Sequence, residues 1–224
     1  PHLGAGSYCR SFNKVLPAVP NWVYVKLERW HHLSFLRTRP VINMLNTKYI
    51  IIPGEKKQPM AYRNPGALGN AWYVNEYRFV ANPDSEIMAL KNFDPSKTAF
   101  ADKKFENELS GFKMNKDSTA SIKLTSYSPN DLLYESTASS EQLAVFSEIY
   151  YPDGWNAYVD GKPTPHFRVN YVLRAMRVPA GKHQLEFKFE PRVIATGEKI
   201  SAASMLLLFL FCGFAAYKEI RPKI

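Results

Sequence analysis

His183-Gln184-Leu185-Glu186-Phe187-Lys188-Phe189-Glu190 is the stretch that decides the fold class. His183, Leu185, Phe187 and Phe189 alternate with Gln184, Glu186, Lys188 and Glu190. A period of two, with charges on one side, predicts an antiparallel strand that buries one face and wets the other. The same reading extends towards the N-terminus. Pro179-Ala180-Gly181 is a turn, and residues 172–178 and 166–169 are two more strands. Asp160-Gly161 is a tight hairpin turn. Before it, Trp155, Ala157 and Val159 alternate with Asn156 and Tyr158. Pro152-Asp153-Gly154 turns the chain again, and residues 143–151, 132–137 and 120–127 supply three further strands. Turns at this density predict a β-sandwich or a jelly-roll-like domain.

Downstream the character of the chain changes at once. Residues 200–217 contain no charge, and Lys218, Glu219, Arg221 and Lys223 follow immediately. About 18 apolar or small residues at 1.5 Å each reach roughly across the hydrocarbon core of a bilayer, at the short end of the usual range. A globular domain tethered by its C-terminus to a lipid bilayer is expected. The chain begins at Pro1 without an initiator Met or a signal peptide, so further sequence is expected upstream.

Before residue 120 the pattern is mixed. Residues 48–52 read as a short buried strand stopped by Pro53-Gly54. Residues 71–80 read as a strand or a bent pair. Asn82-Pro83-Asp84-Ser85 supplies a turn and a helix N-cap for a helix through about Lys91. Residues 98–101 form a short strand, and the polar stretch 102–118 reads as loop. Val23, Leu27, Trp30 and Leu33 stand at helical spacing within residues 23–36. The fold expected is therefore mainly β, sandwich-like or jelly-roll-like, with a small α/β part before it and one C-terminal transmembrane helix. Its divisions are a poorly patterned segment 1–45, the α/β part 46–115, the sandwich 116–192, the transmembrane region 193–217 and a tail 218–224.

Of the 224 residues, 46% are hydrophobic, and 14 Phe, 13 Tyr and 4 Trp suit β-sheet packing. The net charge is +9, from 29 basic and 20 acidic residues. The basic residues are scattered without a run of five, which argues against nucleic acid and fits a surface near anionic lipid. Cys9 and Cys212 are too far apart in the pattern to pair, and two isolated Cys make no thiolate metal site. The adjacent His31 and His32 point apart on either a helix or a strand. No metal and no cofactor is expected.

Candidate site residues carry two readings each. Trp155, Tyr158 and Tyr151 form either a sugar-stacking platform or the filling of the sandwich core and corner, and Trp72 has the same alternatives. Arg168, Arg174 and Arg177 lie on neighbouring strands. They either meet an anionic ligand or line a solvated face. Asp153, Asp160, Glu148 and Glu135 are candidate acids of a hydrolytic pair, or residues of turns and surfaces. Gly66-Ala67-Leu68-Gly69 lacks a phosphate-cradling pattern. The ligand-binding candidates are Trp155, Tyr158 and Arg174, and no residue is assigned a catalytic role.

Three stretches resemble the YfhO family of bacterial integral membrane proteins, in particular its Bacteroidetes-type members. They are Asn43-Met44-Leu45-Asn46-Thr47-Lys48-Tyr49, then Asn64-Pro65-Gly66-Ala67-Leu68-Gly69-Asn70-Ala71-Trp72-Tyr73, and then Tyr151-Pro152-Asp153-Gly154-Trp155-Asn156-Ala157-Tyr158-Val159-Asp160-Gly161-Lys162. The last continues through Asn170-Tyr171-Val172-Leu173-Arg174-Ala175 and Val178-Pro179-Ala180-Gly181-Lys182-His183. The resemblance covers roughly residues 43–220. It implies a GT-C-type glycosyltransferase whose catalytic acid precedes this chain, with the soluble domain outside the inner membrane and the C-terminus in the cytoplasm. It also implies an accessory role in moving sugar from a polyprenyl-phosphate donor to an envelope polysaccharide. The rival expectation is a membrane-tethered sandwich serving as a structural or protein-interaction module.

Overall fold

The computed structural model describes residues 40–53 and 58–220. The helix expected over residues 23–36, Cys9 and the end of the tail lie outside the described residues. The described elements are helix α1 (Pro40–Met44), strands β1 (Tyr49–Pro53), β2 (Pro59–Arg63), β3 (Ala71–Tyr73) and β4 (Glu76–Val80), and helix α2 (Pro83–Ala89). Next come β5 (Thr98–Asp102), β6 (Ser121–Ser128), β7 (Asp131–Ala138), β8 (Gln142–Ile149) and β9 (Trp155–Val159). The chain ends with β10 (Lys162–Pro163), β11 (Phe167–Val169), β12 (Leu173–Val178), β13 (Gly181–Phe189) and helix α3 (Arg192–Ile220).

Two antiparallel sheets face each other. One runs β10-β9-β13-β7-β6 and the other β11-β12-β8-β3. The first shows the alternation that the sequence predicts. In β7, Leu132, Tyr134, Ser136 and Ala138 are buried while Glu135 and Thr137 are exposed. Between the sheets, Phe146 of β8 packs edge-on against Tyr134 and Phe187, at centroid distances of 5.0 and 4.8 Å. Tyr73 and Ser136 tie the sheets together through a 2.6 Å hydroxyl contact.

The four-stranded sheet is buried on both faces. Ala144, Phe146, Met176 and Val178 face the five-stranded sheet. Leu143, Val145, Leu173 and Ala175 face a second core, completed by Met44, Val74, Leu90, Ala99, Ala101, Leu109 and Phe112. The architecture thus has three layers, with the α/β elements covering the outer face of the middle sheet. In that cover β4 and β5 pair in parallel, joined through α2. The N-cap of α2 is Asn82, whose side chain accepts from the Ser85 amide as expected.

Several elements differ from the sequence reading. Of the two readings of 71–80 the structure has the pair, and its members part company: β3 pairs with β8 and β4 with β5. The strand at 49–53 has a partner, β2, that the sequence hid behind Pro59 and a mostly exposed pattern. Residues 103–109 form a 3-10 helix rather than open loop, because Leu109 and, just beyond it, Phe112 anchor the stretch in the second core.

The helix α3 begins two residues after β13 ends, with Glu190 and Pro191 between them. Within it, residues Thr196–Lys218 are long and apolar enough to cross a membrane, with a mean hydropathy of 2.0 and none of the most apolar window buried against protein. The junction is tight. The Glu190 amide donates to the Gly154 carbonyl at 2.6 Å, and Trp155 packs on Phe189. Gly154 has φ +136°, and a Cβ there would stand 2.8 Å from the Phe189 ring and 3.1 Å from Pro191. Glycine is required at this turn by conformation and by space alike.

Candidate functional site

Arg174 lies in the sandwich interior, 2% exposed. It stands at a bulge where β12 slips register against β8, so that Leu173 opposes Ile149 while Arg174 opposes Phe146. Its Nε donates to the Ile149 carbonyl at 2.9 Å. Its guanidinium carbon sits 4.1 Å above the Trp155 ring and 5.2 Å from Phe187, so two aromatic faces hold the cation. Its Nη1 is buried without a hydrogen-bond partner among the described residues. The buried charge acts on its neighbours. Glu148, inside the bulge, has its carboxyl pushed up by burial and partly restored by Arg174. His166, edge-on to Phe187 and Tyr150, is pulled down to about 4, first by burial and then by Arg174. Tyr134 is held protonated well above its usual range by burial.

Of the three candidate ligand residues, Trp155 and Arg174 come together and Tyr158 does not join them. Trp155 is half-buried at the edge of the core, while Tyr158 points to the outer face of β9. There its hydroxyl donates to Glu190 at 3.0 Å, beside the Asn156 amide, which donates to the same carboxylate oxygen. The indole of Trp72 donates to the Pro95 carbonyl at 2.8 Å, a structural bond between β3 and the loop before β5.

The other two arginines form ion pairs rather than an open basic face. Arg168 reaches Glu86 at 2.8 Å and Asp102 at 3.7 Å, with Glu86 fully buried. The second carboxylate oxygen of Glu86 accepts from the Tyr171 amide. Asn170 and Tyr171 make a tight hairpin turn, with φ values of +49° and +71°. A tyrosine in the left-handed region costs on the order of 1 kcal/mol. The turn is locked by Glu86 and by Asn170, which exchanges two hydrogen bonds with the Phe100 backbone. Arg177 pairs with Glu141 through two contacts, at 2.8 and 3.2 Å. Glu86 was not legible as a partner, since it stands 82 residues from Arg168 in sequence.

At the end of the sandwich away from α3, an open groove of about 620 Å³ is lined by Glu108, Glu141, Asp160, Lys162, Arg177 and His183 among others. Asp160 accepts from His183 Nδ1 at 2.6 Å, which lowers the acid and raises the imidazole. The second ring nitrogen of His183 is 3.0 Å from the Ala180 carbonyl. Both nitrogens are therefore occupied in fixing the hairpin, and the pair is not set up as a general base. Among the described residues, no group of three His, Cys, Asp or Glu is placed to hold a metal ion.

Comparison with known families matches residues 104–201 to the model described as bacterial membrane protein YfhO. That stretch is similar to the YfhO family. It runs from the 3-10 helix through all of β6–β13 and into α3. The match covers residues 104–201 of the 224, and the apolar helix α3 into which it runs is long enough to cross a membrane, which fits the description of that family as membrane proteins. The resemblance motifs now have a structural meaning. Gly154 makes the junction turn, Asp160-Gly161 closes β9 onto β10, Asn170-Tyr171 is the locked hairpin, and Arg174 is the buried cation. No curated protein and no solved structure matches the chain.

Proposed function

We propose that this chain is the extracytoplasmic sandwich and terminal anchor of a larger YfhO-like protein of the bacterial inner membrane, of Bacteroidetes type. In this reading its parent transfers sugar from a polyprenyl-phosphate donor to an envelope polysaccharide, and the sandwich is an accessory, acceptor-facing module. The observation that carries the reading is the two-residue junction between β13 and α3. It holds a folded domain against the membrane, where a lipid-linked sugar would be presented. The polar groove at the far end would then face the envelope polymer.

A second reading, a structural or interaction module, is favoured by one feature of the candidate site. Arg174 and Trp155 are packed on each other rather than open to a sugar. The readings separate in the complete protein. Replacing residues 40–191, the sandwich together with its cover, by an unrelated sandwich with the same two-residue junction should abolish the envelope glycan if the module is an acceptor site. It should leave the glycan unchanged if the module is only a spacer. Orientation is tested by a reporter enzyme fused after Ile224, expected to behave as cytoplasmic. Reporter activity confined to the outside would reverse the topology. The isolated chain is expected to show no glycosyl transfer.

A further inference from the structure

The end of the sandwich that meets α3 carries three partly exposed apolar residues, of which Tyr171 also holds the Arg168 guanidinium 5.5 Å from its ring. Ile149 closes β8 at 55% exposed, Tyr151 follows at 48%, and Tyr171 tips the β11–β12 hairpin at 37%. Backbone contacts place all three at the helix junction. Ile149 pairs with Leu173, and the Tyr150 amide donates to the Val172 carbonyl at 2.7 Å, which joins the loop after β8 to the Tyr171 hairpin. That loop runs directly into Gly154, whose carbonyl accepts from Glu190 and whose Cα packs beside Pro191. The rim therefore lies at the end of the sandwich from which the chain runs into α3.

Helix length sets the height of this rim. The 29 residues of α3 extend about 43 Å at 1.5 Å each. A bilayer with its headgroups measures about 40–45 Å. An upright α3 thus places Arg192 at the outer edge of the headgroup layer, with the sandwich resting there rather than above it. Tyrosine side chains are suited to that layer, keeping a hydroxyl in water while the ring leaves it, and an isoleucine beside them gains by leaving water. The junction also presents the exposed acids Asp153 and Glu190, so attraction to anionic lipid is not the driving force here.

We infer that Ile149, Tyr151 and Tyr171 form a second membrane contact, seating the sandwich in the lipid headgroup layer so that it lies on the bilayer instead of pivoting on α3. The inference rests on α3 spanning the membrane. The partner is the lipid surface, and binding is apolar.

The test uses the full chain with its native cysteines replaced, reconstituted in nanodiscs of neutral phosphatidylcholine containing a headgroup-nitroxide lipid. A fluorophore is attached in separate samples at Asp153→Cys, Lys162→Cys or Leu207→Cys. The rim label at 153 should be quenched several-fold more than the label at 162, with no loss on adding salt. The combined variant Ile149→Ser, Tyr151→Ser, Tyr171→Asn should lower quenching at 153 and leave Leu207 shielded from water-soluble quenchers. Asparagine tolerates the positive φ at 171, so the hairpin is preserved. Equal, weak quenching at 153 and 162 with a lipid-shielded Leu207 overturns the docking alone. A water-accessible Leu207 overturns the membrane anchor and the docking with it. Quenching at 153 that survives the triple substitution also overturns the assignment of these residues.

Discussion

Acidification should loosen the sandwich through one imidazole. His166 is half-buried against Tyr150 and Phe187, and its pKa falls from 6.5 to about 4. A base whose folded pKa lies below its unfolded value binds fewer protons when folded. Its contribution to stability is complete above about 6.5 and is lost as the pH falls towards 4. Between pH 7 and pH 5 the linkage amounts to about 2 kcal/mol. For a domain of this size that corresponds to a melting shift of about 4–8 °C. Glu86 and Glu148, whose carboxyls are raised by burial, act in the opposite sense, since their stabilising share is lost as pH rises. The informative quantity is therefore a difference. Thermal unfolding of wild type and His166→Gln in nanodiscs at pH 7 and pH 5 should show a larger drop in wild type, by about 4–8 °C. Equal drops in the two proteins would refute the argument that burial beside Arg174 keeps this ring neutral.

Three further outcomes are expected. Trp155→Ala should cost about 2–3 kcal/mol, below the range for a fully buried Trp because the ring is half-buried, while Tyr158→Ala on the outer face should cost under about 1 kcal/mol; urea unfolding that ranks them the other way would put Trp155 on the surface. Glu86→Ala should cost about 3–5 kcal/mol, since it strands the buried end of Arg168 and the Tyr171 amide together, and denaturant midpoints check it. The Asp160–His183 contact should protect the Gln184 amide from hydrogen exchange best between about pH 4 and pH 6.5. Asp160 is lowered by His183, so its share fades as pH falls through that lowered value; His183 is raised by Asp160, so its share fades as pH rises through the raised value.

What was legible in the sequence was local. Alternation in β13 and β9, the Asp160-Gly161 hairpin and the charge-free run of α3 each follow from neighbours a few residues apart. The strands β8 and β12 read as strands, but their burial on both faces depended on a cover that no local pattern announces. β2 was concealed because an exposed edge strand opening on Pro59 has little hydrophobic signal. At the candidate site, Trp155 and Arg174 were named from their types, and the structure brings them together. Their mutual packing, the desolvation of His166 and the Glu86–Arg168 pair came from partners far along the chain, which spacing alone does not reveal.

The middle sheet has a consequence for any protein that shares the matched segment. Residues 104–201 contain β8, β11 and β12 but not β3, β4, β5 or α2. Taken alone, that segment would present Leu143, Val145, Val169, Leu173 and Ala175 to water along one broad oily wall. A polypeptide carrying such a segment must therefore bring its own roof, from sequence upstream or from another chain. Here the roof is stitched on through β3 and the Glu86 lock, so cutting the chain at residue 104 should yield a sticky, aggregating piece rather than a smaller working one.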